Sequence, residues 1–482
     1  MIGADVRAKY KATIGIECHV QLKTKTKLFS AVGNDAREAA PNTLVSHIDF
    51  GLPGALPVLN KEAVRLAAKA AFALNSRPQP FSKFDRKHYF YPDLPMGYQI
   101  SQYDEPIVLG GSLDILVDGE TKTIGITRAH IEADAGKSTH PAGADYSLVD
   151  LNRAGTPLLE IVSEPDMHSA AEAKAYAREL YLRMRYTDVS DANLYYGNMR
   201  FDVNVSVSAT MDLGTRTETK NLNSFRSVEK AIEYEIDRQI ALIEKGEKII
   251  QETRGWEDDK QRTFSQRSKE NADDYRYMPD PDLPPIVLSE EDIQKIEADM
   301  PAMPDDYRII LHDIGIDPKT TEDIVAVPDT AKTVKRVYET AGANHAKRVA
   351  FWLLHPVSDE VSENEAVGSL SVPDEQYIKL SQLVEDGKLS STAAKQVLTT
   401  LQSEGGDAEA IAEAKNLIQE SDEGAIAAIV EQVIAQNPKA AEDVRSGEMK
   451  AIGFLTGQVM KLSQGKANPA LAQQLIRKAL GL

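Results

Sequence analysis

The chain has 482 residues, a length that calls for two or three domains rather than one core. Hydrophobic residues make up 42% and charged residues 27%, as in a globular protein. No apolar run reaches the roughly eighteen residues of a membrane span. The single cysteine, Cys18, excludes a disulfide framework and a cysteine-built zinc site. The net charge of −19 argues against nucleic acid except through local basic patches. The opening residues are not followed by an apolar signal core, which predicts a cytoplasmic chain.

From the N-terminus, Thr13–Leu22 alternates as a strand. Ile14, Ile16, Cys18, Val20 and Leu22 share one face, and Glu17, His19 and Gln21 the other. A carboxylate and an imidazole two residues apart on one face can reach one metal ion or one proton. The alternative is a solvated polar face. Cys18 falls on the apolar side and reads as a packed thiol, not a nucleophile.

A helical pattern follows at Lys61–Leu74, and Pro and Gly punctuate the loops. Lys122–Thr127 alternates again. If extension persists, Ile124, Ile126, Arg128, His130, Glu132 and Asp134 share one face, a polar row suited to a metal–phosphate site or to an exposed edge. Asp134-Ala-Gly-Lys-Ser-Thr139 contains Gly-Lys-Ser, but Ile131 stands where a phosphate loop needs its first glycine. There is no G-x-G-x-x-G. Neither a Gly/Ser-rich amidase segment nor a credible Cys–His pair is present, so no glutaminase centre is expected.

Helical patterns recur at Ala170–Arg185 and Val228–Glu244. Between them Arg200–Ser208 alternates, with Phe201, Val203, Val205 and Val207 inward and Arg200, Asp202, Asn204, Ser206 and Ser208 outward. Thr215–Asn223 reads as its partner strand, with Arg216, Glu218 and Lys220 on one side. Oxygen ligands such as Asp202, Asn204 and Glu218 suit Mg²⁺, and Arg or Lys suit phosphate. Three such rows make an antiparallel sheet with one catalytic face more plausible than three solvated faces.

The extended passage Met278–Pro285 reads as the edge of this half. Beyond it apolar residues recur at helical spacing, as at Tyr377, Leu380, Leu383 and Val384. Gly405-Gly406-Asp407 reads as a hinge. The expected organisation is α+β over residues 1–295, a helical domain over 296–405 and a helical tail over 406–482. From Met449 the charged residues are Lys450, Lys461, Lys466, Arg477 and Lys478, with no Asp or Glu: +5 in an acidic chain. This is either a solvated helix face or a contact to nucleic-acid phosphates.

Ile14–Leu22 resembles the opening of the B subunits of the aspartyl/glutamyl-tRNA amidotransferases. Gly51-Leu-Pro-Gly-Ala-Leu-Pro-Val-Leu-Asn60, Phe84–Pro95, Gly97–Gln102, His130–Lys137, Leu151–Pro157, Glu160–Asp166, Lys220–Phe225, Glu252–Trp256 and Asp274–Pro284 also match, in the family's order. The resemblance implies a cradle-shaped, kinase-like α+β domain built on an antiparallel sheet, an all-α helical domain and a small tail that binds tRNA. It implies a ligase that phosphorylates the side-chain carboxylate of mischarged Glu-tRNA(Gln) or Asp-tRNA(Asn) with ATP and Mg²⁺. Ammonia then arrives from an amidase, the A subunit, and a small C subunit completes a heterotrimer. On this reading Glu17, His19, Glu132 and Asp202 hold Mg²⁺, with Asp134, Asn204 and Glu218 as further candidates. Lys137, Arg200 or Lys220 stabilises the transferring phosphoryl group. Members often carry a second Glu where this chain has Ala133, so its role passes to Glu132 and Asp134. The cysteine pairs that hold zinc in some members are missing near residues 30–50, so no structural zinc is expected. The rival reading is a non-catalytic tRNA-binding scaffold, which predicts no ATP use.

Overall fold

The computed structural model describes residues 2–141, 143–210, 212–268, 272–354, 372–418, 423–446, 450–463 and 467–482. The chain forms two compact units, Met1–Pro304 and Asp305–Leu482.

The first unit is built on a mixed sheet of nine strands among the described residues. They are β1 (Lys11–Gln21), β2 (Val108–Leu109), β3 (Ser112–Val117), β4 (Glu120–Ala133), β5 (Pro157–Ser163), β6 (Met199–Ser208), β7 (Thr217–Leu222), β8 (Glu252–Glu257) and β9 (Arg262–Ser268). The order is β9-β8-β7-β6-β1-β5-β4-β2, with β3 also on β4. The antiparallel expectation needs one correction: β7 and β8 run parallel. They are joined through the helix Phe225–Glu244, and a helical crossover returns the chain in the same direction, where a hairpin would reverse it.

One face of the sheet is a core and the other carries the site. Ile14, Ile16, Cys18, Val20 and Leu22 of β1 and Phe201, Val203, Val205 and Val207 of β6 are buried together, as their alternation predicts. Each such aliphatic side chain contributes roughly 1.5–3 kcal/mol. Three helices cover this face: α1 (Lys61–Ala73), α2 (Ala170–Tyr186) and α3 (Phe225–Glu244). Each has a side-chain N-cap. Asn60 accepts from Glu62 and Ala63, Ser169 from Glu172, and Ser224 from Ser227. α2 presents Tyr176, Leu180 and Met184, four residues apart, to the core, and α3 presents Val228, Ile232, Ile236 and Ile240.

β4 departs from simple alternation. Ile124 and Ile126 are buried in the core, and so are Ala129, Ile131 and Ala133. The two sets lie on opposite phases of the strand. The pairing with β5 explains this: Val162 opposes Arg128 but Ser163 opposes Ile126, so Thr127 is an extra residue. This bulge reverses the facing of everything after it. The expected row of Ile124, Ile126, Arg128, His130, Glu132 and Asp134 is therefore broken, and only its polar part faces the site. Ala133 is on the core side.

Met278–Pro279 pairs with Arg86 and Asp85, Ile286–Val287 pairs with Ser82 and Phe81, and the helix Glu290–Ala298 packs on α1. The extended passage thus lies inside the first unit. In the second unit the described elements are helices. At Gly405-Gly406 both φ angles are positive (72° and 107°), which ends the helix Ser391–Glu404. Asp407 then caps Ala408–Ala414 and accepts from Lys379 at 2.9 and 3.0 Å. The helices Glu423–Gln436, Pro438–Arg445, Lys450–Leu462 and Pro469–Leu480 close a hydrophobic core of their own.

Candidate active site

The polar face of the sheet lines a cavity of about 490 Å³. Its residues are cross-strand neighbours. His19 on β1 lies opposite Glu160 on β5, and Glu160 lies opposite His130 on β4. On the other side of β1, Glu17 lies opposite Asp202 on β6, and Asn204 lies opposite Glu218 on β7. Directly opposed side chains sit roughly 5 Å apart at Cβ, so the pairing alone gathers them.

Two groups of possible metal ligands result, each with its ligand atoms within 4.8 Å of one another: His19, Glu132 and Glu160, and Glu17, Asp202 and Glu218. In the first, His19 Nε2 is 3.3 Å from Glu160 and 3.7 Å from Glu132. The second is all carboxylate, with Asn204 donating to Glu17 at 3.0 Å and Thr253 to Glu218 at 3.1 Å. Lys220 is 2.9 Å from Asp202 and 3.4 Å from Glu218. A register shift between Phe201 and Val203, with Asn221 at φ 60°, brings the Asn221 amide onto Asp202 at 2.8 Å. Hard oxygen donors with one imidazole suit Mg²⁺ or Mn²⁺.

The charge balance of these groups is visible in their proton affinities. Burial, with the Glu160 and Glu218 charges, pushes the Glu17 carboxyl above its ordinary range. Burial opposes a proton on His19, but the hydrogen bond to Glu160, together with the Glu160 and Asp202 charges, outweighs it and raises His19. Burial likewise opposes the Glu160 charge, yet His130 and His19 hold that carboxyl well below its usual value. Against its own burial, Asp202 is held low by Lys220.

Of the seven candidate metal residues, Glu17, His19, Glu132, Asp202 and Glu218 fall in the two groups. Asp134 does not. It is clamped by Arg200 at 3.1 and 3.3 Å and by Arg153 at 3.2 Å, which keep it low despite burial. Asn204 serves as a support to Glu17. Among the candidate phosphoryl stabilisers, Arg200 and Lys220 line the cavity, whereas Lys137 is exposed and lines a second cavity of about 530 Å³ with Lys23, Arg37 and Asp150. Sequence reasoning misses Glu160 as a ligand. Its neighbours on the same face, Leu158 and Val162, are apolar, so no polar row marks it. Arg128, part of the expected polar row, also lines the cavity, as do Lys87 and the tyrosines 89, 103, 275 and 277, to which no sequence pattern assigns a role there. In the second unit Lys450, Lys461, Arg477 and Lys478 are exposed, with Lys478 3.5 Å from Glu423; Lys466 lies outside the described residues.

This sheet, with its two ligand groups, coincides with a known family. Residues 12–294 match the family model described as the GatB/GatE catalytic domain, and residues 336–480 match that of the GatB domain. The chain belongs to the GatB family. It is 45% identical over 485 residues to the B subunit of the aspartyl/glutamyl-tRNA(Asn/Gln) amidotransferase of Carboxydothermus hydrogenoformans, covering 98% of this chain and 99% of that one. It is 46% identical over 478 residues to the protein of the same name from Thioalkalivibrio sulfidiphilus, covering 98% and 100%. The GatB/GatE match spans every strand of the sheet but for the first residue of β1, and so the whole cavity. No described helix is long and apolar enough to cross a membrane.

Proposed function

We propose that this chain is the tRNA-binding, carboxylate-activating component of an aspartyl/glutamyl-tRNA amidotransferase. The observation that carries this reading is the pair of ligand groups on one sheet face, in one cavity with Arg200 and Lys220. In the reaction a side-chain carboxylate oxygen of Glu-tRNA(Gln) or Asp-tRNA(Asn) attacks the terminal phosphorus of ATP. The bond from that phosphorus to the bridging oxygen breaks and ADP departs, leaving an acyl phosphate. The nitrogen lone pair of ammonia then adds to the acyl carbon, inorganic phosphate leaves with its electron pair, and the amide nitrogen loses a proton.

Attacking group and phosphate are both anionic, so the site must manage charge. His19, Glu132 and Glu160 would hold one Mg²⁺, and Glu17, Asp202 and Glu218 fit a second. The ion would supply charge neutralisation of the terminal phosphate. Lys220 and Arg200 carry fixed positive charge beside these groups, and their carboxylate partners hold them in place. Ammonia comes from a partner amidase, because no glutaminase centre is recognisable in this sequence. A small third protein completes the complex. Lys450, Lys461, Arg477 and Lys478 of the tail meet tRNA phosphates.

The test is tRNA-dependent ADP formation by the complex assembled with its amidase and small partner proteins. Charged Glu-tRNA(Gln) or Asp-tRNA(Asn) should elicit ADP and amide in equal amounts. A tRNA-binding scaffold would give no ADP.

A further inference from the structure

The cavity is lined by six cations, and they are not equivalent. Arg153 and Arg200 are bound to Asp134, and Lys220 to Asp202. Arg216 is exposed at the rim. Lys87 and Arg128 are half-buried, and among the described residues neither is salt-bridged to a carboxylate. They are held by aromatic rings instead. Lys87 Nζ lies 4.8 Å from the Tyr275 ring centre, and the Arg128 guanidinium lies 5.9 Å from that of Tyr103. Tyr103 in turn stacks on Tyr277 at 4.0 Å. A ring face orients a cation without cancelling its charge.

The same cavity is lined by Gln102, only 1% exposed. Its Oε1 accepts from the backbone amides of Ile107 at 3.2 Å and Ile131 at 3.0 Å. Those two bonds fix which end of the side chain is the amide nitrogen. That nitrogen, Nε2, is buried and has no partner among the described residues. The Nε of Arg128 is in the same state. A buried donor left unpaired costs on the order of 1–3 kcal/mol. Gln102 Nε2, Arg128 Nε and the Lys87 ammonium, from three residues lining one cavity, make a corner of hydrogen-bond donors with no acceptor to match them among the described residues.

We infer that Lys87, Gln102 and Arg128 form the subsite that receives the anionic side-chain carboxylate of the aminoacyl-tRNA and distinguishes it from the uncharged amide of the product. This rests on the ligase reading above and names the part of the site that reads the substrate's acid group. An oxyanion could equally come from the phosphates of the nucleotide. The carboxylate is favoured because the two ligand groups on the sheet already supply a cation-mediated seat for phosphate. The donor corner adjoins the first group, whose Glu132 and Glu160 act on the Lys87 charge, but contributes no acidic residue of its own to hold a metal. A carboxylate fills two donors at once, whereas an amide would turn its NH₂ toward donors and leave one unpaired.

The experiment uses the assembled complex and two probes on one tRNA, glutamate-charged and glutamine-charged, or the aspartate and asparagine pair. Binding of each is measured, together with binding of Mg-ATP. Arg128→Gln removes charge while keeping polarity. Gln102→Glu keeps the oxygen that caps Ile107 and Ile131 while replacing the donor. Wild-type protein should bind the acid-charged tRNA more tightly than the amide-charged one. Each variant should cut that preference by roughly tenfold to a hundredfold, with Mg-ATP affinity unchanged. An unchanged preference in folded Arg128→Gln overturns the assignment. So does a loss of Mg-ATP affinity with the preference intact, which would give the corner to the nucleotide. If Gln102→Glu does not fold, Arg128→Gln and Lys87→Met decide the matter by the same readout. A wild-type complex that makes no ADP refutes the ligase reading, and the binding comparison on the same protein still scores the corner.

Discussion

The two walls of the cavity have opposite chemistry. On the sheet wall, Glu17, Glu132, Glu160, Asp202 and Glu218 crowd together, and the cations Arg200 and Lys220 are bound to carboxylates. On the tyrosine side, Lys87 and Arg128, the latter carried by β4 just past its bulge, face aromatic rings and Gln102 has an unpaired amide. The difference teaches how one site brings two anions together. One wall is negative and suited to a phosphate carried with divalent cations. The other is positive and suited to a bare carboxylate. Neither wall could do both, since a carboxylate would be repelled by the first and a metal by the second.

The largest expected effect comes from breaking the sheet wall. Glu132→Gln and Glu17→Gln keep shape and remove charge, and each should lower tRNA-dependent ADP formation at least about a thousandfold. Circular dichroism should be unchanged, because both side chains lie on the polar face. Full activity in Glu17→Gln would remove its group from the mechanism.

Asp134→Asn should act on structure as well as rate. It leaves Arg200 and Arg153 without their shared carboxylate at a buried position, which costs about 1–3 kcal/mol. Urea unfolding of the variant would read this directly. A midpoint equal to wild type would mean that the clamp is not formed in solution.

The next effect is a pH dependence. His19 is raised above its ordinary 6.5 by Glu160, so its proton competes with a metal ion at higher pH than an ordinary histidine would. Any stability from this proton is complete at low pH and is lost as pH rises through the raised value. Mn²⁺ binding should therefore weaken as pH falls through neutrality. Glu160→Gln should remove the negative charge that helps raise His19 and shift the pH response downward, at the cost of a ligand. An affinity flat between about pH 6 and 8 would take His19 out of the ligand set.

The smallest effect belongs to the tail. Replacing Lys450, Lys461 and Arg477 by Gln should reduce the salt dependence of tRNA binding by roughly one unit of slope per lost phosphate contact, while leaving ADP formation at saturating tRNA intact. Equal slopes would mark a solvated helix face.

Legibility in the sequence followed the regularity of the backbone. β1 and β6 are extended without interruption, so alternation found Glu17, His19, Arg200 and Asp202 and the core opposite them. β4 is not uniform. Its bulge at Thr127 is a tertiary adjustment to β5, and nothing in Gly125–Ala129 announces it. Lys137 is a different case, offered on the family resemblance and not on any alternation. β4 ends at Ala133, and the backbone turns at Gly136, where a Cβ would stand 2.8 Å from the Asp150 carbonyl oxygen. Past that turn Lys137 lines the second cavity. Glu160 was hidden by burial, since a lone acid between Leu158 and Val162 looks like part of a core strand until β1 and β4 bring His19 and His130 beside it. Of the tyrosine wall only Arg128, in the polar row of β4, is legible, because the other members come from segments nearly two hundred residues apart, as the Tyr103–Tyr277 stack shows.

The measurement that tests the central claim most directly is paired product counting. The complex containing wild-type chain, its amidase and small partner proteins, glutamine, ATP and charged tRNA is followed for ADP and amide together, beside the same complex carrying Glu132→Gln. The account predicts one ADP per amide in the first, requiring charged tRNA, and neither product in the second. Amide formed without ADP, or ADP formed equally well by Glu132→Gln, would contradict it.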